Sequence, residues 1–442
     1  MSSPAGGRLR RNPFAGLPRE VPVLAGVAFA VAIGFGVVAP VIPVFAREFG
    51  VGRAAAAAVV SVFAAMRLVS ALGAGRIVDR LGERRILAFG IAVVAVSSAL
   101  AGLAQSYEQL LVLRGVGGVG SAMFTVSAYS LLLRSAPSEQ RGQSTGLFTG
   151  GFLVGGIAGP ALGGLLSEVS IRAPFFFYAA TLAVAGSIGL FLLPKAAGAA
   201  AARGGGSSAS LGSAVRSPAY RAALSAQFAD SWSVLGVRAA LVPLFVTDLS
   251  MNGGLELSRS WVGIGFGLVA ALNAIVLLPA GRFADRVGRR PVLVVGTASS
   301  ALGMTLLALS SSLALYLLAL TVLGLGSGLL HVAPGAIVGD TVTALPAAGA
   351  TPAEPVPAPP QTAADEPAPP RPGRGGTVVA AFQMTGDAGS VLGPLVAGHL
   401  ADANGYGWAF GVTAGVLVVA FVLSLFAPET RRPSADPQPA AR

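Results

Sequence analysis

Five ionisable side chains stand in stretches that are otherwise apolar: Arg67, Arg114, Asp230, Arg238 and Asp387. Facing hydrocarbon, each would cost about 3 kcal/mol or more, so they must point inward, toward water, a ligand or one another. A carboxylate sheltered from water takes up a proton more readily, and a neighbouring guanidinium opposes this. Asp230 and Asp387 are therefore candidates to bind a proton on one side of a barrier and surrender it when a substrate arrives, with Arg114 or Arg238 setting the balance. The alternative is a permanent ion pair, such as Asp230 with Arg238. Their separation of eight residues, about 80° around a helix, leaves direct pairing open.

Helical spacing gives these groups polar companions. Gln227 lies three residues before Asp230, and Gln383, Asp387 and Ser390 follow at steps of four and three, so each set shares one helix face. Arg114, Gly118, Ser121 and Thr125 form a similar stripe. Histidine is the side chain type that changes charge near neutral pH, so His331 is either a proton carrier or a packing residue. Trp232 and Phe228, beside Asp230, either line an apolar pocket or pack. The chain contains no cysteine and two histidines, His331 and His399, which excludes disulfides and thiol chemistry and argues against a zinc site. No G-x-x-x-x-G-K-[ST] sequence is present, so ATP is not the indicated energy source. Neither a cofactor nor a catalytic cluster is expected, and the chain does not read as an enzyme.

The elements that hold these residues follow from composition. Of 442 residues 54% are hydrophobic and 11% charged, with a mean hydropathy of +0.74. A water-soluble surface needs about 25% charge, so the partner is a lipid bilayer. The net charge of +11 does not point to nucleic acid, because the arginines are scattered among apolar runs. Twelve spans of about 20 residues are expected, centred on 22–45, 55–75, 85–104, 109–132, 143–166, 174–193, 221–246, 260–280, 291–310, 313–337, 377–399 and 408–427. The first is too long for the apolar core of a signal peptide and reads as a retained span. Twenty-three of the 30 basic residues fall on one side of the membrane, while Arg47, Arg53, Arg172 and Arg259 fall on the other. The positive-inside rule then places both termini in the cytoplasm. Trp261 and Trp408 stand at span ends, where interfacial anchoring accounts for them.

The chain is also a duplication. "GRIVDRLGERR" (75–85) returns as "GRFADRVGRR" (281–290) at an offset of 206, and Gly118, Gly120 and Ser121 match Gly324, Gly326 and Ser327 at the same offset. "GIAGPALGG" (156–164) is echoed by "SVLGPLVAG" (390–398) at offset 234, and "PVF" (43–45) by "PLF" (243–245) at offset 200. Two six-span bundles result, over 1–194 and 220–428, joined by a Gly/Ser/Ala linker at 195–219 and followed by a tail at 429–442. A Pro- and Ala-rich insert at 344–376 is expected to be disordered and cytoplasmic. Parallel halves of this kind are one architecture of secondary transporters, with the binding site between them. Asp230 and Asp387 have no acidic counterparts in the first half, where Ala30 and Leu153 stand at the repeat offsets.

The two loop phrases resemble the G-x-x-x-D-R-x-G-R-R signature of the major facilitator superfamily, the second more closely because Glu83 replaces the arginine that Arg289 supplies. "LVLRGVGGVGS" (111–121) is similar to the family's fourth-helix motif, with Arg114 as its buried arginine and Gly117 where glutamine is frequent. "GGIAGPALGG" (155–164) resembles the fifth-helix motif of its proton-coupled exporters, the twelve-helix drug:proton antiporters. The resemblance implies an all-α membrane fold of twelve helices in two pseudo-symmetric six-helix bundles, located in the plasma membrane. It also implies proton-driven export of small amphipathic or drug-like molecules by a monomer. A sugar or metabolite carrier, a sodium-coupled carrier and a transport-dead sensor are the rival readings.

Physically, Gly75, Asp79, Arg80, Gly82 and Arg84, with Gly281, Asp285, Arg286, Gly288 and Arg289, form two short turns suited to gating. Gly82 can take a positive φ, and Asp79 is expected to face the N-terminal end of the eleventh span. The plainer reading is that these arginines only orient the chain. Gly159 and Pro160 allow close helix approach and a kink, serving either as a pivot between the halves or as packing.

Overall fold

The computed structural model of the chain describes residues 17–135, 141–193, 211–249, 253–344 and 376–431. The described residues are helical apart from turns and short loops. The first half comprises α1 (Glu20–Val38), α2 (Ile42–Arg47), α3 (Arg53–Leu81), α4 (Glu83–Gly102), α5 (Tyr107–Ser135), α6 (Arg141–Val169) and α7 (Ala173–Leu192). After a short helix, α8 (Leu211–Arg216), the second half runs through α9 (Pro218–Asp230), a π-helical stretch (Ser231–Arg238), α10 (Ala239–Thr247), α11 (Arg259–Arg286), α12 (Arg289–Ala308), α13 (Leu313–Leu330), α14 (Ala333–Ala344), α15 (Gly376–Asn404) and α16 (Tyr406–Leu425). The segment 195–219 is thus partly helical at its end, while the rest of that linker, almost all of the 344–376 insert and the tail beyond Arg431 lie outside the described residues.

Among the described residues eleven segments are long and apolar enough to cross a membrane, three of them built from consecutive elements (Glu20–Arg47, Pro218–Thr247 and Leu313–Val342). The remaining expected span, α15, is an unbroken helix of 29 residues that falls short of that apolarity. Gln383, Thr385, Asp387, His399 and Asp402 dilute it, and it is held instead by neighbours on several sides: α3, α9, the π-helical stretch and α16. Large apolar side chains remain exposed, among them Val112, Leu165, Val169, Phe191 and Val419. A bilayer, unlike water, covers such surface at no cost.

Each half is knit by one close helix pair that the repeat predicts. In the first, α6 lies on α1, and a Cβ at Gly159 would stand 2.6 Å from the Ile33 carbonyl oxygen. In the second, α15 lies on the π-helical stretch, where a Cβ at Gly393 would stand 2.7 Å from the Trp232 carbonyl oxygen. Pro160 meets Gly36, and Pro394 meets Gly236, in the same way. Between the halves the contacts run along two seams, α3 with α15 and α6 with α11.

One end of the bundle carries the turns at Gly82 (φ +85°) and Gly288 (φ +127°), a conformation that glycine adopts without steric cost. This is the turn face; the opposite end, where α3 and α11 begin, is the cap face. At the turn-face ends of α3 and α11, Gly73, Gly75 and Gly281 have nothing within 4 Å of where a Cβ would sit. At the cap face, Gly164 and Gly263 meet backbone to backbone and Gly398 meets Ala54 and Ala57, each pair from opposite halves.

Candidate functional site

The sequence-predicted residues fall into three groups. The first joins the halves at mid-helix: Arg67 of α3 donates to the carboxylate of Asp387 on α15, with side chains 33% and 23% exposed. Close by on the same seam, the Ser61 hydroxyl donates to the Val391 carbonyl at 2.8 Å. Asp387 therefore has its own partner, supplied by the opposite half. Ser390 sits one turn on and bonds back to the Asp387 carbonyl at 2.8 Å, while Gln383 is exposed.

The second group lies within the second half. Asp230 is the last residue of α9, at the entry to the π-helical stretch. Its Oδ1 is buried without a hydrogen-bond partner, as is Nε of Arg238 at the end of that stretch. No hydrogen-bonded Asp230–Arg238 pair is present among the described contacts. Arg238 instead lies over the Phe266 ring at 4.5 Å, a cation–π contact. Gln227 reaches Ser231 at 3.4 Å and abuts Gly386 of α15. His331 is exposed at the α13–α14 junction, its Nδ1 2.6 Å from the Ser327 carbonyl oxygen. Trp232 is buried, with its indole N–H on Thr413 of α16 at 3.3 Å, so it is a packing residue.

Arg114 forms the third group alone. It is 3% exposed, lies over the Phe63 ring at 4.4 Å and leaves Nε without a hydrogen bond. A guanidinium seated on an aromatic face rather than on a carboxylate keeps its N–H donors available. It does not join Asp230 or Asp387 in the described contacts.

The expected gating residues divide as well. Arg84 donates to the Leu190 carbonyl within its own half, and Asp285 binds Arg289 at 2.5 Å within the other. Arg80 and Arg286 are exposed, and the side chain of Asp79 lies outside the described residues. Gly159 and Pro160 pack on α1 inside the first half, while the Pro160 carbonyl also faces Gly263 across the seam.

Two features escaped the sequence reading. One is the π-helical stretch Ser231–Arg238, whose sequence holds no proline to mark a break in the helix. The partner of Glu83 is the other: this residue is buried and paired with Arg134 of α5, 51 residues on, just as Arg289 is paired with Asp340 of α14 at 3.3 Å, also 51 residues on.

The family model described as Major Facilitator Superfamily matches residues 24–255, 223–351 and 356–442. The quinolone resistance protein NorA of Staphylococcus aureus is 30% identical over 159 residues, 36% of this chain and 41% of that protein. Multidrug resistance protein 1 of Bacillus subtilis is 27% identical over 165 residues, 37% and 42% of the two chains. The chain spans about two fifths of the length of these curated relatives. Among solved structures, a bacterial homolog of the human lysosomal transporter Spinster, in an inward-facing and unoccupied conformation, superposes with a TM-score of 0.70 at 16% identity, covering 94% of this chain and 98% of that one. The nucleoside transporter NupG superposes with a TM-score of 0.67 at 14% identity, covering 92% and 98%.

Proposed function

The chain belongs to the major facilitator superfamily, a multi-pass membrane transporter rather than an enzyme, and from that premise we propose that it is a proton-coupled exporter of small amphipathic or drug-like molecules. In this reading it works by alternating access as a monomer in the plasma membrane, with the turn face and both termini cytoplasmic and a proton gradient as its energy source.

The observation that carries the reading is Asp230. Its buried, unpartnered oxygen stands at the mouth of a π-helical stretch, in the half whose counterpart position is occupied by Ala30. π-Helical turns occur preferentially at functional sites, and a carboxylate without a fixed partner is free to exchange a proton with an arriving ligand. Asp387 has the complementary role: a proton taken up there frees Arg67 and loosens the mid-helix tie between halves. The matches to drug-resistance proteins support the cargo class.

Asp230→Asn and Asp387→Asn, reconstituted separately in vesicles, test this. Each is expected to lower substrate-induced proton movement at least tenfold, while gradient-free exchange survives. Unaltered proton movement in both variants overturns the assignment. A panel of amphipathic compounds, taken up by inverted vesicles with and without a proton gradient, tests the cargo.

A further inference from the structure

At the cap face, each half closes on the other through the same set of groups. α3 begins at Arg53 and α11 at Arg259, and the first N–H groups of any helix lack intrahelical acceptors. In neither helix does the residue before it provide a side-chain cap. The caps come instead from the opposite half. Asp402, at the far end of α15, accepts from the backbone N–H of Arg53 at 2.8 Å and of Ala54 at 2.9 Å. Glu168, at the far end of α6, accepts from the Ser260 N–H at 2.9 Å and the Ser260 hydroxyl at 3.0 Å.

The correspondence extends to the arginines and to their carbonyl and carboxylate partners. Arg53 donates to the Ala401 carbonyl at 2.9 Å, and Arg259 to the Ser167 carbonyl at 3.2 Å. Arg53 pairs with Asp248 at 3.1 Å, and Arg259 with Glu48 at 3.6 Å. Arg53 and Arg259 differ by 206, Ala401 and Asp402 from Ser167 and Glu168 by 234, and Asp248 from Glu48 by 200. These are the three offsets of the internal repeat. Lone surface ion pairs contribute little, but a carboxylate on two N–H groups at a helix start is stabilised by the positive helix end as well.

We propose that these are two symmetry-related latches, Asp402 on α3 and Glu168 on α11, which hold the cap face shut and must both be released for that face to open. The proposal rests on the alternating-access reading. The two latches differ in strength. Arg53 is 13% exposed, lies 4.3 Å over the Tyr406 ring, and shares Asp248 with the Tyr406 hydroxyl at 2.5 Å. Arg259 and Glu48 are 37% and 43% exposed, and Arg172 stands at the repeat position of Tyr406. The Asp402 latch is the stronger of the two.

The chain has no cysteine, so engineered cysteines report without background. Spin labels at Gln105→Cys and Asn404→Cys follow the cap face, and labels at Arg76→Cys and Val379→Cys follow the turn face. In nanodiscs, the combined Glu168→Ala and Asp402→Ala variant, which removes both acceptors, is expected to raise the fraction of long cap-face distances at least tenfold. Asp402→Ala alone should do more than Glu168→Ala alone, and Asp402→Asn, which keeps one acceptor oxygen, should largely restore the closed distribution. Gly398→Leu, which forces Ala54 away without touching a charge, should open the same seam if the double variant folds poorly. An unchanged cap-face distribution in the folded double variant overturns the latches, and a turn-face pair that still answers to a proton gradient would then leave alternating access standing. A cap face that opens while neither pair responds to a gradient supports the latches and fails the transport reading.

Discussion

The two turns at Gly82 and Gly288 solve one problem with opposite charges. In the first half the acid belongs to the turn, as Glu83, and the base to the fourth span, as Arg134. In the second the base belongs to the turn, as Arg289, and the acid to the tenth span, as Asp340. The sequence separation is identical, so the backbone arrangement is conserved between halves while the polarity is not. Complementarity across the turn is what the fold requires; the sign at either position is not. The environments differ too. The Glu83 side chain is 7% exposed and depends chiefly on Arg134, with the Ser130 hydroxyl at 3.4 Å. Arg289, 19% exposed, is shared between Asp285 and Asp340.

The largest effect expected from this contrast follows removal of the base in the first half. Arg134→Ala leaves Glu83 buried and without a counter-charge, which costs about 3 kcal/mol. Arg289→Ala leaves two carboxylates that can still turn to water, and costs about 1 kcal/mol. Melting temperatures in detergent should separate the two variants clearly, and equal losses would erase the distinction. Next in size is a polarity exchange. Glu83→Arg alone sets two arginines together; adding Arg134→Asp copies the second half's arrangement and should recover at least half of the lost melting temperature. No recovery would mean that sign matters after all.

The smallest effect concerns Glu429, which accepts from the Arg289 and Arg290 N–H groups at 2.8 and 3.0 Å at the start of α12. Burial works to raise its pKa, but hydrogen bonds from the N–H groups of Arg431, Arg289, Arg290 and Thr430 prevail and hold it below the ordinary 4.5. A lowered folded value means that its stabilisation is complete above 4.5 and is lost as pH falls through the folded value. Glu429→Gln is expected to cost about 0.5 kcal/mol at neutral pH. Acidification below 4.5 should make variant and parent converge in melting temperature.

Much of the fold was legible because lipid makes sequence explicit. Apolar length marks twelve spans, α15 among them despite its polar residues, and the repeat agrees, since Pro394 and the Gly-containing stretch around it match Pro160. The inward placement of Arg67 and Asp387 followed from the cost of charge in hydrocarbon, but their pairing did not, because 320 residues and two bundles separate them. The suspected Asp230–Arg238 pair is absent among the described contacts, and Arg238 lies over the Phe266 ring instead. Glu83 departs from the motif, although Arg134 and Asp340, both 51 residues after their partners, encode the exchange. The acids at 168 and 402 carried the repeat offset too, yet nothing local marks a cap whose helix lies in the other half.

The meeting of Gly164 with Gly263 has one more consequence. Main chain against main chain offers no rotamers, so at this point the contact cannot be loosened by a side chain turning. On the proposed alternating-access cycle, parting the halves here takes a shift of whole helices, α6 against α11.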